Sequence, residues 1–443
     1  MGGTWRLRLP EKSSRPTFSL RLNWLKRFSP GRKHLMNNII KLTKFDWISF
    51  LAPLLLSLLS VALIYSTKHA SSSPADRVLF VKEALWVAFG LIVFLAAYKI
   101  PLRTHEIMAY LYYALGLLLL AALFVMGATK YGATRWFNLG SFNVQPSEIM
   151  KLAVIIALAR FLAYPKRASR NFWWVIAATA LAGVPMLLVL RQPDLGTSLI
   201  FLILLLSLLF WSGLSLYLIL LLVTPLLSLV LAFHWIPWGL FFIGLLMALF
   251  YIRPGKWLGT FVIALNLIGG VATPLLWNHL HDYQKERIVT FIDPYKDPLG
   301  SGYQLIQSKV AIGSGGLLGK GYLHSSQARL EFLPMQHTDF VYSVMGEEFG
   351  LVGCLFILFL LGYMVFHGIQ VANKARNNFA SLLVWGIVSV IGFQSFVNIG
   401  MTLGMLPVTG IPLPFVSYGG SAMLVNWAMW GLLLNGSAHW QEY

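Results

Sequence analysis

From residue 47 onward, long apolar runs alternate with short polar connections. A membrane-spanning helix needs about 20 apolar residues, and twelve runs reach or approach that length. They cover residues 47–66, 79–98, 107–127, 149–164, 172–190, 196–211, 214–235, 238–252, 258–279, 341–367, 380–403 and 421–438. Because run 238–252 is the weakest, ten helices is the alternative count. The pattern predicts an all-α, polytopic integral membrane protein with about twelve transmembrane helices.

One long polar interruption, residues 281–340, comes before the last three predicted helices. It is rich in glycine, and half of the 16 acidic residues lie in it or just beyond it. These are Asp282, Glu286, Asp293, Asp297, Glu331, Asp339, Glu347 and Glu348. Connections of this length are uncommon unless they bind, cover or catalyse. We therefore expect the chemistry of the protein in this loop.

The composition supports a membrane protein. Of the 443 residues 57% are hydrophobic and only 11% are charged, and the mean hydropathy is +0.70. A soluble domain carries more charge than this. The net charge of +18 does not indicate nucleic-acid binding, because lysine and arginine collect in the N-terminal tail and in short connections, as they do where charge sets orientation in a bilayer.

Residues 1–46 carry eleven Lys or Arg against Glu11 and Asp46. We predict a basic, disordered cytoplasmic tail, with Met36 as an alternative start, followed by one membrane domain over 47–438. Under strict alternation the basic connections lie on the cytoplasmic side, so both termini are expected there. The loops expected outside are 67–78, 128–148, 191–195, 281–340 and 404–420.

The segment from Asp293 to Gln304 reads DPYKDPLGSGYQ. Each Asp-Pro step favours a turn, and the glycines after it let the backbone approach a ligand closely. A carboxylate on such a turn beside the membrane, at Asp293 or Asp297, could act as a general base or hold a cation. The alternative is that both aspartates only form turns.

Two further motifs place charge near the outer surface. In QPSEIMK we predict Ser147 as an N-cap, and Glu148 shares a helix face with Lys151. An ionisable pair at membrane depth is a functional-site hypothesis, with a structural ion pair as the alternative. Asp194 lies in the turn of RQPDLGT, and Arg135 is an outward cation for which a snorkelling interfacial role is the alternative.

Other candidate sites are weaker. A single cysteine, Cys354, excludes an internal disulfide, and His281, His324 and His337 lack metal-ligand spacing. Residues 313–321, GSGGLLGKG, do not match a phosphate loop. Flexibility, or a backbone nest for an anionic headgroup, explains them better.

Residues 407–421, PVTGIPLPFVSYGGS, interrupt the chain between the last two predicted helices with three prolines. Proline removes a backbone donor, so this segment is not a continuous helix. Non-helical backbone at membrane depth must line a cavity or be buried in protein. We expect one of these two environments for it.

Together these motifs resemble the SEDS family (shape, elongation, division and sporulation) of bacterial membrane proteins. The matching stretches run in family order between about residues 45 and 437, and they resemble the elongation branch more than the division branch. They are GATRW, QPSEIMK, RQPDLGTS, DPLGSGYQLIQSKVAIGSGGLLGKG, LEFLPMQHTDFVYSVMGEEFGLVG and PVTGIPLPFVSYGGS.

The resemblance implies a peptidoglycan glycosyltransferase of the bacterial inner membrane. Such an enzyme polymerises lipid II into glycan strands on the outer face, for cell-wall elongation and rod shape. The implied partners are lipid II, the nascent glycan strand, a class B penicillin-binding protein that crosslinks it, other elongation-complex proteins and membrane lipids. No nucleic acid is expected. A flippase for the lipid-linked precursor, or a non-catalytic scaffold for the penicillin-binding protein, are the alternatives.

The resemblance also implies roles for particular residues. The essential family aspartate falls on Asp297, and the family's paired glutamate and lysine fall on Glu148 and Lys151. Adding the other motif residues gives the predicted substrate-binding set: Arg135, Glu148, Lys151, Asp194 and Gln304. The chain departs from the family's usual ten helices by two extra apolar runs between 236 and 279.

The implied chemistry is consistent with an outer site. A glycosyl donor outside the cell must carry its own leaving group, which a lipid-linked pyrophosphate provides. Asp297 would take the proton from the acceptor hydroxyl in one displacement with inversion. Lys151 and Arg135, or a divalent cation such as Mg²⁺ or Mn²⁺, would neutralise the departing pyrophosphate. The sequence indicates no other cofactor and no protein metal site.

Overall fold

The structure is a computed structural model that describes residues 45–68, 78–130, 133–139, 142–164, 172–279, 285, 290–291, 293–298, 302–329 and 335–438. The predicted basic tail lies outside the described residues except for its last two positions, and so do several stretches of the 281–340 loop. From Trp47 onward the chain forms one compact unit.

Each of the twelve apolar runs is a helix, as predicted. The helices are α1 (Trp47–Lys68), α2 (Leu79–Lys99), α3 (Leu102–Met126), α4 (Pro146–Ala163), α5 (Phe172–Arg191), α6 (Leu195–Trp211), α7 (Leu216–Leu231), α8 (Trp235–Ile252), α9 (Lys256–His279), α12 (Val341–Lys374), α13 (Asn378–Thr402) and α14 (Gly420–Ala438). Two more, α10 (Tyr303–Gly315) and α11 (Ser326–Arg329), lie within the predicted loop.

The fold is that of a polytopic membrane protein. In the described part of the chain, eight helices are long and apolar enough to cross a membrane: α1, α2, α3, α5, α8, α9, α12 and α13. Helices α6 and α7 are apolar but shorter. Helices α4 and α14 are buried along most of their length. Which helices cross the bilayer, and hence the count of twelve, stays a prediction.

Helices α4 and α14 form the centre of the bundle. Helix α14 packs along α2 and also contacts α4, α12 and α13, while α4 contacts α3, α5, α6 and α13. The indole rings of Trp427 and Trp430 on α14 are fully buried, and Trp430 donates to the carbonyl of Ser49 on α1 at 3.1 Å. Because indole carries both apolar area and one donor, both rings stabilise the packing, and Trp430 also satisfies a backbone acceptor.

A small antiparallel sheet lies between α3 and α4, where the apolar pattern predicted only a loop. Its strands β1 (Ala128–Lys130), β2 (Ala133–Leu139) and β3 (Phe142–Val144) pair in the order β1-β2-β3. Strand β2 contacts α3 and α4, and β3 contacts α14. The sheet therefore holds the residues of β2 against the start of α4.

Helices α7, α8 and α9 contain the two extra apolar runs and pack mainly on one another, while α7 also contacts α6. Their own buried cluster consists of Leu221, Leu245, Leu249, Leu258 and Val262. Polar side chains also join these helices. The amide of Asn266 donates to the Thr224 hydroxyl at 2.9 Å, and Trp238 donates to the Ser228 hydroxyl at 2.8 Å. The three helices thus have a core of their own.

The segment between α13 and α14 is not helical, as its prolines predicted. Ile411, Leu413 and Phe415 are buried within it. The amide of Asn398 on α13 donates to the carbonyl of Ile411 at 2.8 Å. An ideal Cβ on Gly196 would lie 2.6 Å from the carbonyl oxygen of Thr409, so a glycine is needed there. Of the two predicted environments, burial in protein is observed for residues 413–417, whereas Gly410 nearer the start of the segment is exposed.

Candidate active site

Asp297 ends a single 3-10 turn, Pro294–Lys296, and its side chain is exposed. The other aspartate of the motif, Asp293, caps this turn, because its carboxylate accepts from the amide of Tyr295 at 3.1 Å. Proline at the first position of the turn fixes the backbone dihedral and lacks the donor that would be unpaired there. The structure therefore gives Asp293 a local structural role and presents Asp297 to solvent.

The turn closes onto the start of α10. The amide of Gly302 donates to the carbonyl of Asp297 at 3.0 Å. An ideal Cβ on Gly302 would lie 2.0 Å from the carbonyl oxygen of Pro294 and 2.8 Å from that of Asp297. A side chain at this position would push the turn open. Glycine is therefore required for the turn that presents Asp297, and Gln304 follows in the first turn of α10, half-buried.

Glu148 and Lys151 form an ion pair at 2.7 Å, with side chains 4% and 0% exposed. They lie in the first two turns of α4, where the helix dipole favours a carboxylate. The N-cap is Gln145, with Pro146 at the first helical position, so the prediction of Ser147 as N-cap is wrong. Proline fits the first helical position because its missing N–H would be unpaired there. Ser147 consequently lies inside the helix and is buried.

Asp194 is the N-cap of α6. Its carboxylate accepts from the backbone amide of Thr197 at 3.1 Å and from the Thr197 hydroxyl at 2.9 Å. The side-chain amide of Gln145, the N-cap residue of α4, donates to Asp194 at 3.5 Å. Asp194 therefore connects the start of α6 to the start of α4, close to the Glu148–Lys151 pair.

Arg135 reaches the same turn from β2. Its Nε donates to the carbonyl of Gln192 at 3.2 Å, and its Nη2 donates to the carbonyl of Pro193. A guanidinium can satisfy two such acceptors at once because its donors form a rigid fork. Arg135 is partly buried and holds the turn before Asp194 in place.

The predicted residues thus fall into two groups. The structure brings Arg135, Glu148, Lys151 and Asp194 together around the start of α4. Asp297 and Gln304 belong to the segment 293–315, whose helix α10 packs on α12 and α13. Two further residues that bind Asp194 beside the first group, Gln145 and Thr197, were not singled out from the sequence. Their place in the QPSE and DLGT motifs was the only signal for them.

The Gly-rich segment 313–321 differs from its prediction. It is neither a flexible linker nor an open nest, because its backbone is hydrogen-bonded to the start of α12. Its lysine, Lys320, forms an ion pair with Glu347 at 2.6 Å. In the described part of the chain, no three His, Cys, Asp or Glu side chains converge to form a metal site.

Comparison with known proteins identifies relatives along almost the whole chain. A family model described as "Cell cycle protein", FTSW_RODA_SPOVE, matches residues 46–239 and 238–442. The peptidoglycan glycosyltransferase MrdB of Escherichia coli K12 is 37% identical over 411 residues, which cover 91% of this chain and 98% of MrdB. The peptidoglycan glycosyltransferase RodA of Treponema pallidum is 32% identical over 429 residues, covering 89% of this chain and 98% of that protein.

Solved structures give the same picture. A chain from a structure titled "Structural coordination of polymerization and crosslinking by a peptidoglycan synthase complex" has a TM-score of 0.66 at 30% identity, covering 90% of this chain and 99% of that one. The crystal structure of the rod shape determining protein RodA of Thermus thermophilus has a TM-score of 0.59 at 26% identity, covering 90% and 98%.

Proposed function

The chain belongs to the FtsW, RodA and SpoVE family of cell cycle proteins, which is the SEDS family, and it is a peptidoglycan glycosyltransferase of the kind that serves cell shape and elongation; on this premise we propose that it polymerises lipid II through Asp297. The observation that carries the proposal is the turn at residues 293–302. It closes only with glycine at position 302 and presents one exposed carboxylate while using the other as a cap.

In the proposed reaction, the Asp297 carboxylate removes the proton from a hydroxyl of the acceptor sugar. The freed oxygen forms a bond to the anomeric carbon of the donor, and the bond from that carbon to the lipid pyrophosphate breaks. The pyrophosphate leaves with the bonding electrons, and the configuration inverts because there is a single displacement. An exposed carboxylate at the membrane surface suits this role because the acceptor hydroxyl can approach it from the aqueous side.

The group around α4 supplies the proposed substrate-binding site. Lys151 is the cation that we assign to the pyrophosphate, with Glu148 holding its ammonium in place until substrate binds. Arg135 and Asp194 shape the adjoining turn, and Gln304 is assigned to the sugar beside Asp297. A divalent cation is the alternative counter-charge. The described carboxylates do not form a cage for one, so such an ion would take most of its ligands from substrate oxygens and water.

We further propose that the enzyme lies in the bacterial inner membrane with both termini in the cytoplasm and the 281–340 loop outside. The basic connections between the helices support this orientation. A penicillin-binding protein of class B is the proposed partner. The similarity to a chain of a complex that couples polymerization to crosslinking supports this partner, and other elongation-complex proteins are expected around the pair.

One observation favours a second candidate function. The Glu148–Lys151 pair is buried, and buried ionisable pairs in membrane bundles also mark transport pathways. A flippase for the lipid-linked precursor would use this pair and would not need Asp297. The third reading, a non-catalytic scaffold, needs neither group.

The deciding experiment measures glycan-chain formation from purified lipid II in detergent, with the partner present and its transpeptidase inactivated. The variant is Asp297→Asn, and the matched control is Asp293→Asn, four residues earlier on the same turn. Asparagine caps as well as aspartate does, so the control should polymerise normally while Asp297→Asn forms no polymer.

Polymer from Asp297→Asn would refute Asp297 as the base. If neither parent nor variant makes polymer but lipid II crosses vesicles that contain the parent, the transport function replaces this proposal.

A further inference from the structure

The Gly-rich segment 313–321 interlocks with the first part of α12 through the backbone. Four hydrogen bonds join them: Lys320 N to Glu347 O (2.9 Å), Gly321 N to Glu348 O (2.9 Å), Leu351 N to Gly316 O (3.0 Å) and Val352 N to Leu317 O (3.2 Å). They surround Gly350, whose φ of 63° breaks α12. An ideal Cβ there would lie 2.4 Å from the amide nitrogen of Gly319. The interlock therefore requires glycine at the break in α12.

The side chain of Glu347 adds a charged contact to this interlock. It accepts from the ammonium of Lys320 at 2.6 Å. It also accepts from the amide and the hydroxyl of Ser326, both at 2.8 Å, and from the amide of Gln327 at 3.1 Å. The Glu347 side chain is 0% exposed and that of Lys320 is 30% exposed. We call this pair the Lys320–Glu347 clasp, and its bonds are strong because the acceptor is ionised.

The neighbouring residue, Glu348, extends the attachment to α1. Its carboxylate accepts from the Ser325 hydroxyl at 3.0 Å and from the Ser66 hydroxyl on α1. The hydroxyl of Tyr322 donates to the carbonyl of Ala62, also on α1, at 2.9 Å. Burial and the charge of Glu348 raise the pKa of Tyr322, so its hydroxyl stays a donor. The segment that follows α10 is therefore attached to both α1 and α12.

Helix α10 itself is attached to α12 and α13 along one side. The hydroxyl of Ser308 lies 2.7 Å from that of Ser343 on α12 and donates to the carbonyl of Thr402 on α13 at 2.7 Å. At the C-terminal end of α10, an ideal Cβ on Gly315 would lie 1.9 Å from the carbonyl oxygen of Gly346. The N-terminal end of α10 carries the turn of Asp297. The clasp and the catalytic turn are thus at opposite ends of one attached helix.

We propose that Lys320 and Glu347 are positioning residues for glycosyl transfer, because their clasp fixes α10 and through it the location of the Asp297 carboxylate. The inference rests on the proposed role of Asp297. A helix of 13 residues is about 20 Å long. A tilt of a few degrees at its clasped end therefore moves the other end by about 1 Å, and displacements of that size can cost on the order of a hundredfold in rate.

The test compares Lys320→Met, Lys320→Arg and the control Lys374→Met, which removes an exposed lysine at the other end of α12. For each variant, kcat and KM for lipid II are measured per mole of folded protein, together with hydrogen exchange over residues 303–315. We expect Lys320→Met to lower kcat by about tenfold to a hundredfold and to speed exchange in α10. KM should stay within about twofold, because all the proposed binding residues except Gln304 lie around the start of α4. Lys320→Arg should restore most of kcat, and the control should behave as the parent.

Three outcomes would overturn the inference: unchanged kcat in Lys320→Met, lowered kcat with unchanged exchange in α10, or no rescue by Lys320→Arg. If Lys320→Met does not fold, Glu347→Gln tests the same point, because glutamine keeps the shape and can still accept from Ser326. Including Asp297→Asn separates the two proposals. Full activity in that variant removes the proposed base, whereas an inactive Asp297→Asn beside a fully active Lys320→Met removes only the positioning role.

Discussion

The ammonium of Lys151 lies 2.7 Å from the carboxylate of Glu148, and neither side chain has appreciable contact with solvent. Taking two charges out of water costs more than an ordinary core can recover unless they stay paired. The pair is therefore either a rigid structural feature or a charge held for a ligand. Stability and activity measurements can tell these apart.

Lys151→Met alone should destabilise the protein by about 3 to 5 kcal/mol, because it leaves the buried Glu148 carboxylate without its counter-charge. The double variant Glu148→Gln/Lys151→Met should recover most of that stability, since no net charge stays buried. If Lys151 binds the pyrophosphate, the double variant stays inactive in polymerisation. A stable and active double variant would show that the pair is only structural. Thermal unfolding and the lipid II assay measure both quantities.

Gly302→Ala should lower polymerisation on the order of a hundredfold, because the added methyl group collides with the carbonyl of Pro294 and displaces Asp297. Gly313→Ala is the matched control, within the helix that Gly302 precedes, since an ideal Cβ there meets nothing within 4 Å. The control should keep full activity and gain slightly in helix stability. Equal losses in both variants would mean that the helix, not the turn, is sensitive to added side chains.

Asp194→Asn and Asp194→Ala separate capping from charge. Helix α6 should still form in both variants. Alanine cannot accept a hydrogen bond from Thr197, so Asp194→Ala should lower the free energy of unfolding by about 1 kcal/mol, whereas Asp194→Asn should lower it little. If activity depends only on the cap, Asp194→Asn should keep the parent's activity. Activity lost in both variants, with normal unfolding of Asp194→Asn, would show that the carboxylate charge itself contributes to binding.

Arg135→Lys should fail to replace arginine, although it keeps the charge. A lysine ammonium lacks the rigid fork that reaches the carbonyls of Gln192 and Pro193 together. We expect weaker lipid II binding, seen as a raised KM, in both Arg135→Lys and Arg135→Met. If Arg135→Lys had the parent's KM, positive charge alone would be the requirement.

Asn266→Leu tests the group of helices α7, α8 and α9, which includes the two apolar runs expected from the sequence to be additional to the family pattern. It removes the hydrogen bond to Thr224, and interhelical bonds of this kind contribute about 0.6 to 1.7 kcal/mol in membrane proteins. We expect a small loss of thermal stability and no change in polymerisation. A large loss of activity would show that α7, α8 and α9 act on the catalytic residues.

Local pattern was enough to predict some parts of the structure and not others. Apolar runs predicted each of the twelve helices because burial and bilayer length both select for long apolar stretches. Strands β1 and β3 are three residues each, too short for a period of two to stand out. The N-cap of α4 was misassigned because Ser147 is a strong capping residue in general, while Pro146 takes the first helical position and moves the N-cap two positions earlier, to Gln145.

The site shows the same limit. The motifs contain Asp297, Glu148, Lys151 and Asp194, and residue type and spacing make these four residues candidates, whereas the roles expected of Asp297, Glu148 and Lys151 come from the family resemblance. The Lys320–Glu347 clasp could not be predicted, since its members are 27 positions apart and their contact depends on how two backbones cross. Glycines that permit close approach look the same in a sequence as glycines that permit flexibility.

The separate core of α7, α8 and α9 bears on how such an enzyme can change over evolutionary time. A hairpin of two helices such as α8 and α9, added or lost at this position, would disturb neither the α4 group nor the α10 segment. The reason is that α8 and α9 pack on each other and on α7. Differences in chain length among relatives should therefore accumulate here. The same place is a natural insertion point for a fluorescent protein or a purification tag, in the connection between α8 and α9.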